Sequence, residues 1–458
     1  MHHALWAAGS NGDGQLGVGH CEDTDTWTHC VAEAGCEFPP PHARVMHVAC
    51  NRVRSVAWCR DEDGGDSLWV AGTQVDGSVC TGFRALCVEE LARAVGVGGR
   101  VSVQCVAAAW EAFFVVLRSD GRDTLAAVCT EGADDSFGVT GGSDSACAPW
   151  ARRIHVPCHS DAGALDARHA LDHLPFPPAA AARDALPHPR PSATVSPRPA
   201  PSNPERAPAP AAQPPPNPCT PLTEISHVAA GVRHVAACVT FSSRPGEVLG
   251  QCIYVWGDAR HGQAGHPLPS TTRAVGGLRR CIRREPTPVY SWAGARRVQL
   301  SLGMAHTAVG VDGQWAFLGA DRGQLPPQDA CTVRSNWHTV VCTRGGDKAL
   351  SAHGADAHAQ CRGARAMQAR LDACSGAQLN DYTCGSEHTL VRVRTADSPR
   401  CGVWGWGWNE HGNLLSGDGA DCVDVCEPIL LFEGAVSGIW AGYGTSWVAG
   451  AKDEVPGC

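Results

Sequence analysis

Residues 5–20 read Leu-Trp-Ala-Ala-Gly-Ser-Asn-Gly-Asp-Gly-Gln-Leu-Gly-Val-Gly-His, a short apolar run that leads into a turn rich in glycine. The chain returns to this pattern at 253–266, Ile-Tyr-Val-Trp-Gly-Asp-Ala-Arg-His-Gly-Gln-Ala-Gly-His, and at 403–415, Val-Trp-Gly-Trp-Gly-Trp-Asn-Glu-His-Gly-Asn-Leu-Leu. Weaker copies lie at 68–82, 125–139, 315–325 and 349–361. Recurrence at a fixed internal spacing indicates a repeat architecture.

A second element alternates with the first. Its best copies share the pattern Gly-x-x-His and lie at 231–234, 303–306 and 385–388, with poorer copies near 48, 105–114, 333–342 and 439–448. Seven copies of each element are present, and the chain begins with the first kind and ends with the second. Unpaired sheet edges invite aggregation. We therefore expect residues 5–17 to pair with 439–448, so that the two ends of the chain complete one sheet and close a ring.

The fold class that follows is all-β. Each pair of elements has the alternating residues and the turns of a short antiparallel sheet, which has to pack against its neighbours to bury both faces. We predict a seven-bladed β-propeller whose first part covers residues 1–157 and whose second part covers 222–458. Between them, residues 158–221 are rich in proline and alanine, and we expect a disordered insert. The insert is either passive or a proline-rich ligand for a domain with an aromatic groove.

The two alternating elements resemble the repeat of the regulator of chromosome condensation family, whose members are seven-bladed propellers. The resemblance is specific at 9–17, 231–265, 303–325 and 385–412. It is degenerate between 48 and 139, where Asn51 and Ala109 stand at the first glycine position of the second element and Thr130 replaces the glycine that follows the tryptophan position. The opening segment also resembles a fungal branch of the family, the alpha-tubulin suppressor branch.

This resemblance implies a protein-binding scaffold that performs no chemistry. For the fungal branch, the implied partner is a small metal-binding CSL-type zinc-finger protein, shared by diphthamide synthesis and Elongator-dependent modification of the tRNA wobble uridine. The founding member implies the alternative, a guanine-nucleotide exchange factor for a Ran-like small GTPase. That activity depends on an acidic β-wedge and a chromatin-facing tail, which have no clear counterpart in this sequence. A ubiquitin-ligase adaptor is a third reading, but no ligase domain accompanies the repeats.

Two loops carry the candidate partner-binding residues. The acidic loop contributes His20, Glu22, Asp23 and Asp25, and the arginine loop contributes Arg279, Arg280, Arg283 and Arg284. Loops on a rigid scaffold are common binding sites, and clustered arginines steer acidic partners. For each loop, the alternative is a solvated surface that binds nothing.

The histidines do not indicate an enzyme. The candidates at one equivalent repeat position are His234, His306, His338 and His388. A catalytic residue is needed once, whereas a side chain that ties a turn is needed in every blade, so we expect these imidazoles to bond to neighbouring backbone. The sequence contains no Gly-x-Ser-x-Gly, no phosphate-binding glycine loop and no His-Glu-x-x-His. We predict no catalytic residue and no cofactor.

Composition restricts the remaining possibilities. A formal net charge of −9 gives no general attraction to nucleic acid, so we expect no direct nucleic-acid partner. The 24 cysteines include no Cys-x-x-Cys, and the closest pair, Cys422 and Cys426, is better explained as buried thiols than as a metal site. No apolar run is long enough to span a membrane and no secretory signal is recognisable. We expect a monomeric propeller in the cytoplasm, with the nucleus as a second compartment.

Overall fold

Seven antiparallel sheets surround a central channel in a computed structural model of the chain. The structure describes residues 3–33, 38–130, 150–156, 222–265, 282–320, 323–327, 329–345, 349–395, 400–416 and 423–451. The first strand of each sheet lines the channel, and each first strand contacts the first strand of the next sheet around a complete circle. The predicted seven-bladed β-propeller is therefore confirmed, whereas the predicted insert, 158–221, lies outside the described residues.

The strands follow the chain from the channel outward in every sheet but one. Sheet 1 contains β3 (Arg44–Cys50), β4 (Arg54–Arg60), β5 (Asp66–Thr73) and β6 (Val79–Leu86). Sheet 2 contains β7 (Ser102–Ala108), β8 (Ala112–Ser119), β9 (Arg122–Cys129) and β10 (Ala151–Ile154). Sheet 3 contains β11 (Leu222–Ala230), β12 (His234–Arg244), β13 (Glu247–Asp258) and β14 (Ile282–Ala293).

The second half of the ring is less regular. Sheet 4 contains β15 (Val298–Leu302), β16 (His306–Val311) and β17 (Gln314–Gly319). Sheet 5 contains β18 (Ala330–Ser335), β19 (Thr339–Arg344) and β20 (Ala349–Gly354). Sheet 6 contains β21 (Gln378–Cys384), β22 (His388–Arg394), β23 (Cys401–Trp408) and β24 (Asp424–Gly434). The closing sheet contains β25 (Val436–Ala441), β26 (Thr445–Ala451), β1 (His3–Gly9) and β2 (Thr24–His29).

The closing sheet joins the two ends of the chain as the sequence predicts. Strand β1 pairs with β26 in antiparallel register, with Trp6 opposite Val448 and Ala7 opposite Trp447. Strand β25, which contains Ile439, pairs with β26 on the channel side. Two strands from each end of the chain thus form one sheet, so that the ring has no open break between its first and last repeats.

Two helices are present among the described residues. Helix α1 (Val88–Ala94) follows sheet 1 and packs three apolar side chains into the cluster between sheets 1 and 2. Helix α2 (Gln360–Ala373) follows β20 and lies between sheet 5 and the outer strands of sheet 6. There it packs Gly363 against the indole of Trp406, whose Nε1–H donates to the carbonyl of Gln360 at 3.0 Å. The sequence assigned 349–361 to a weak copy of the repeat and did not predict the helix that follows.

The core lies between adjacent sheets rather than at the centre of the disc. Separate clusters of buried side chains join neighbouring sheets, and Trp256, Trp406 and Trp447 are fully buried within them. The glycine that follows Trp256 and Trp406 has a structural role. Gly257 has a φ of +99°, and a Cβ there would lie 2.5 Å from the carbonyl oxygen of Arg233. Only glycine allows the third strand to cross so close to the inner hairpin.

Candidate functional site

The local geometry that recurs in all seven sheets lies on one face of the propeller, where the first and second strands of each sheet are joined. We call this the top face. Every one of these turns contains a backbone hydrogen bond from the N–H of one residue to the carbonyl of the third residue after it, as from Gly231 to His234 at 2.9 Å. The other six pairs are Asn51–Arg54, Ala109–Ala112, Gly303–His306, Asn336–Thr339, Gly385–His388 and Gly442–Thr445. The turns therefore present their two middle residues at the mouth of the channel.

Two of the repeated histidines connect one sheet to the next. His234 Nε2 lies 2.9 Å from Thr307 Oγ1 in sheet 4, and that hydroxyl donates to the carbonyl of Gln263 at 2.9 Å. The hydroxyl has one hydrogen, so it accepts from the Nε2–H of His234. His388 Nε2 likewise lies 3.1 Å from Ser446 Oγ in the closing sheet. These two imidazoles therefore bond to hydroxyls of the next sheet, whereas neither ring nitrogen of His306 has a hydrogen-bond partner among the described residues.

Burial keeps these imidazoles neutral. Loss of hydration lowers the pKa of His234 and of His388 to about 4, and that of His306 to about 3. His306 stacks on Phe317 with ring centroids 4.9 Å apart. The pattern Gly-x-x-His has a steric cause, since a Cβ at Gly303 would lie 2.1 Å from the imidazole of His306.

One of the four predicted equivalences is wrong. The residue at the start of the second strand in sheet 5 is Thr339, and His338 precedes it by one position. Thr339 Oγ1 donates to the carbonyl of Ala355 at 2.6 Å. The sequence comparison failed here because Ser335 was aligned with the repeat glycine, whereas Asn336 makes the backbone contact of that glycine. In sheet 1 the position belongs to Arg54, which is buried and hydrogen-bonds Thr130 of sheet 2.

The middle residues of five turns converge at the top mouth of the channel. We call Arg52, Trp110, Arg233, Trp337 and Tyr443 the mouth cluster. Tyr443 has its ring centroid 5.5 Å from those of Trp110 and Trp337, in edge-to-face contacts. The guanidinium groups of Arg52 and Arg233 lie 5.7 Å and 5.6 Å from the ring centroid of Trp110, within range of a cation–π attraction.

The channel behind this cluster is narrow. Its cavity volume is about 260 Å³, and alanine, valine and cysteine side chains form much of its wall. Loss of hydration raises the pKa of Tyr443, so its phenol stays protonated as a hydrogen-bond donor. Nearby, Gln360 Nε2 donates to Glu387 Oε2 at 2.5 Å, and burial raises the pKa of that carboxyl. The site offers aromatic surface, two cations and hydrogen bonds, which suit recognition of another protein.

The predicted acidic loop lies on the same top face, beside the mouth. Asp23 Oδ1 accepts the backbone N–H of Asn11 at 2.7 Å, and its Oδ2 lies 2.7 Å from His411 Nδ1 of sheet 6. The carbonyls of His20 and Glu22 accept from the side chain of Asn11 at 2.7 Å and 3.1 Å. Asp23 therefore ties the closing sheet to sheet 6, while the side chains of His20, Glu22 and Asp25 are exposed.

The predicted arginine loop is only partly described. Arg279 and Arg280 lie outside the described residues, whereas Arg283 and Arg284 begin strand β14 at the rim of sheet 3. Burial lowers the pKa of Arg283, and Arg284 is exposed. Two sheets separate sheet 3 from the closing sheet in one direction around the ring and three in the other. The described residues of the arginine loop therefore do not lie beside the acidic loop.

Sequence reasoning missed the mouth cluster, although a signal was present. Its members occupy the two variable positions of the Gly-x-x-His turn or of its degenerate copies. Trp110 follows Ala109, Trp337 follows Asn336 and Tyr443 follows Gly442. Large aromatic residues at the variable positions of an otherwise constant turn indicate function rather than folding.

The described residues contain no group of three or more His, Cys, Asp or Glu side chains able to hold a metal ion. Of the closest cysteine pair, Cys422 lies outside the described residues and Cys426 is exposed. None of the helices in the described ranges is long and apolar enough to cross a membrane.

Curated proteins with related sequences carry the same repeat. The chain is 28% identical over 237 residues to an RCC1 repeat-containing protein of Schizosaccharomyces pombe, a match that covers 49% of this chain and 56% of that protein. It is 24% identical over 178 residues to the human RCC1 domain-containing protein 1, covering 35% and 41% of the two chains. The chain thus spans about half the length of these curated relatives. No family model matches it.

Solved structures show the same fold over nearly the whole chain. Prp20p of Saccharomyces cerevisiae, described with its binding properties to Gsp1p and histones, superimposes with a TM-score of 0.58 at 13% identity, covering 98% of this chain and 92% of that one. Yeast RCC1 (Prp20) bound to Kap60 gives a TM-score of 0.57 at 13% identity, with 98% and 89% covered. In its alternating repeat and its closed ring of seven sheets, the chain is thus similar to the RCC1-repeat proteins.

Proposed function

We propose that the chain is a non-catalytic scaffold that binds a partner protein through its top face. The observation that carries this proposal is the mouth cluster, in which aromatic and arginine side chains from five sheets meet at one point. Trp, Tyr and Arg are the residue types that dominate binding energy at protein interfaces. They also occupy turn positions that the repeat leaves free to vary, so the fold itself does not require them.

The partner we propose is a small metal-binding CSL-type zinc-finger protein that acts in diphthamide synthesis and Elongator-dependent modification of the tRNA wobble uridine. The resemblance of residues 9–26 to the alpha-tubulin suppressor branch supports this choice. His20, Glu22 and Asp25 would form a second contact, since they are exposed on the face that carries the mouth cluster. Arg283 and Arg284 would contribute only to a partner wide enough to reach the rim of sheet 3. Such a role places the chain in the cytoplasm, with the nucleus as a second compartment.

The second candidate is guanine-nucleotide exchange on a Ran-like small GTPase. It is favoured by the likeness to Prp20p, whose structure is described with its binding to Gsp1p, a small GTPase. Against it, the sequence offers no clear acidic β-wedge. The hairpin between β12 and β13, whose ladder is the longest among the described strands, has Arg244 opposite Glu247 at its tip.

Two assays on the purified chain separate these functions. The first measures binding of a recombinant CSL-type zinc-finger protein by calorimetry, and the second measures nucleotide release from a Ran-like GTPase at substoichiometric chain. We expect saturable binding in the first and no acceleration in the second. Catalysed release would favour the exchange function and refute the scaffold assignment.

Variants then locate the contact. Arg52→Glu combined with Trp337→Ala should weaken binding at least about tenfold, because interface aromatic and arginine residues often contribute 2 kcal/mol or more each. Arg365→Glu is the matched control, since Arg365 is exposed on α2 at the rim. Thermal unfolding of each variant checks that the propeller is intact. Equal binding by the variant and the control would place the contact elsewhere.

A further inference from the structure

Among the described residues, sheet 4 has no fourth strand on its outer side. The chain leaves β17 at Gly319 and enters β18 at Ala330, so only residues 320–329 connect the two sheets. Sheets 1, 2, 3 and 6 each have a fourth strand at this place. The outer edge of β17 is consequently not paired with any described strand.

The backbone groups on that edge can be identified from the ladder between β16 and β17. Ala320 N–H donates to the carbonyl of Ala305 at 3.1 Å, and hydrogen-bonded pairs alternate along an antiparallel ladder. Trp315, Phe317 and Gly319 therefore direct their N–H and C=O groups outward. In sheet 6 the equivalent positions, 403, 405 and 407, are opposite residues of β24. No backbone hydrogen bond between described residues reaches the outward groups of β17.

Sheet 5 shows how this protein covers an edge when a fourth strand is missing. Helix α2 packs along β20, and Gln368 Oε1 accepts the N–H of Leu350 at 2.5 Å. No described element covers the outer edge of β17 in this way. Natural edges are otherwise protected by charges, proline or bulges. Strand β17, with the sequence Gln-Trp-Ala-Phe-Leu-Gly, has no charge, no proline and a regular register.

An exposed leucine marks the same gap. The turn after the third strand ends in Gly-Gln-Leu or a related sequence, and its leucine is fully buried at Leu16 and at Leu414. The equivalent Leu325, after Gly323 and Gln324, is 54% exposed. Residues that the repeat normally buries are thus accessible beside an open strand.

We propose that the outer edge of β17 is a strand-addition site, which takes an extended segment of a partner protein as the fourth strand of sheet 4. The segment would be about six residues long, to match β17, and would place an apolar side chain against Leu325. This edge is separate from the mouth cluster, and either site can fail without the other.

The probe is a fluorescently labelled peptide with the sequence of β6, Val79–Leu86, carrying Cys80→Ser. In sheet 1, Leu86 and Arg84 of this strand lie opposite the two residues of β5 that occupy the positions of Trp315 and Phe317 in sheet 4. We expect saturable binding to the full chain by fluorescence anisotropy. N-methylation of the peptide at Arg84 and Leu86 removes the edge-facing donors and should weaken binding about tenfold or more. N-methylation at Ala85, whose N–H points away from the edge, is the matched control and should leave binding unchanged.

Two further measurements concern the protein itself. Leu325→Ser should weaken peptide binding, whereas Leu249→Ser, at a leucine that is also 54% exposed, should not. Hydrogen exchange in the free chain should be fast at the amides of Trp315 and Phe317 and slow at Val403 and Gly405, and bound peptide should slow the first pair. Absence of saturable binding, equal binding of the two N-methylated peptides, or slow exchange at Trp315 and Phe317 in the free chain would overturn the proposal.

Discussion

Acidification should unfold this propeller through the buried histidines that connect its sheets. The unfolded chain binds a proton at each histidine with a pKa near 6.5, whereas burial holds the pKa of His388 at about 4 in the fold. Because the folded-state pKa is the lower one, the unfolded chain takes up protons first as the pH falls. The stabilisation is therefore complete above pH 6.5 and is lost between that pH and about 4.

The magnitude follows from these values. Lowering the pH from 7 to 4.5 should cost about 2 kcal/mol of unfolding free energy for one histidine with these two pKa values. His234, with a pKa of about 4, and His306, with a pKa of about 3, add similar amounts, for a total of about 7 kcal/mol. This is comparable to the whole stability of a typical domain. Cooperative unfolding should begin well above pH 4.

The assay is urea unfolding at pH 7 and at pH 4.5 for the wild type and for His388→Gln. Glutamine keeps a donor toward Ser446 but does not titrate, so the free-energy difference between the two pH values should shrink by about 2 kcal/mol. His261→Gln, at an exposed histidine of sheet 3, is the control and should leave the difference unchanged. Carboxylates contribute equally to all three proteins and cancel. An unchanged pH difference in His388→Gln would refute the reasoning.

Three other outcomes test the repeat and its closure. Gly257→Ala should lower the free energy of unfolding by at least about 2 kcal/mol, because the φ of Gly257 is +99° and a Cβ there would lie 2.5 Å from a backbone oxygen. Gly12→Ala, at a glycine with open space around it, is the control and should lower it much less. Urea unfolding measures both variants. Ala8→Pro removes a hydrogen-bond donor from the ladder between β1 and β26, so the free energy of unfolding should fall by about 3 kcal/mol or more. The thermal unfolding midpoint should fall with it. An unchanged midpoint would contradict closure of the ring by this ladder. Burial raises the pKa of Cys59 and of Cys252 to about 12, so iodoacetamide at pH 8 should modify them only in urea, as peptide mass spectrometry would show.

The fold was predictable because the repeat records contacts that every sheet has to make. A side chain at Gly257 would collide with a neighbouring carbonyl, and a side chain at Gly303 would collide with an imidazole. Glycine therefore recurs at the equivalent repeat positions, and this recurrence can be recognised in a single sequence. Closure was predictable for a related reason, since the first and last elements are of different kinds. The register error at His338 arose where a turn keeps its backbone hydrogen bond without the glycine, so that no side chain marks the position.

The candidate site was harder to predict because it depends on the positions that the repeat leaves free. Trp110, Trp337 and Tyr443 are far apart in the chain, and each alone resembles an ordinary core aromatic. Their meeting at one point follows only when the seven turns are placed in a ring. The acidic loop was found because its charges are adjacent in sequence, yet Asp23 turned out to bond to Asn11 and His411.

Two accessible surfaces of this architecture are suited to binding. The repeated histidines at 234, 306 and 388 are buried and neutral, so they belong to the structure of the ring and not to these surfaces. What remains accessible is large aromatic and arginine side chains at the mouth and unpaired backbone at the edge of β17. The two surfaces recognise partners by different physical means, side-chain packing in one case and strand pairing in the other. A partner that uses both would have to reach from the top face over the rim of sheet 4, whereas two separate partners could bind at once.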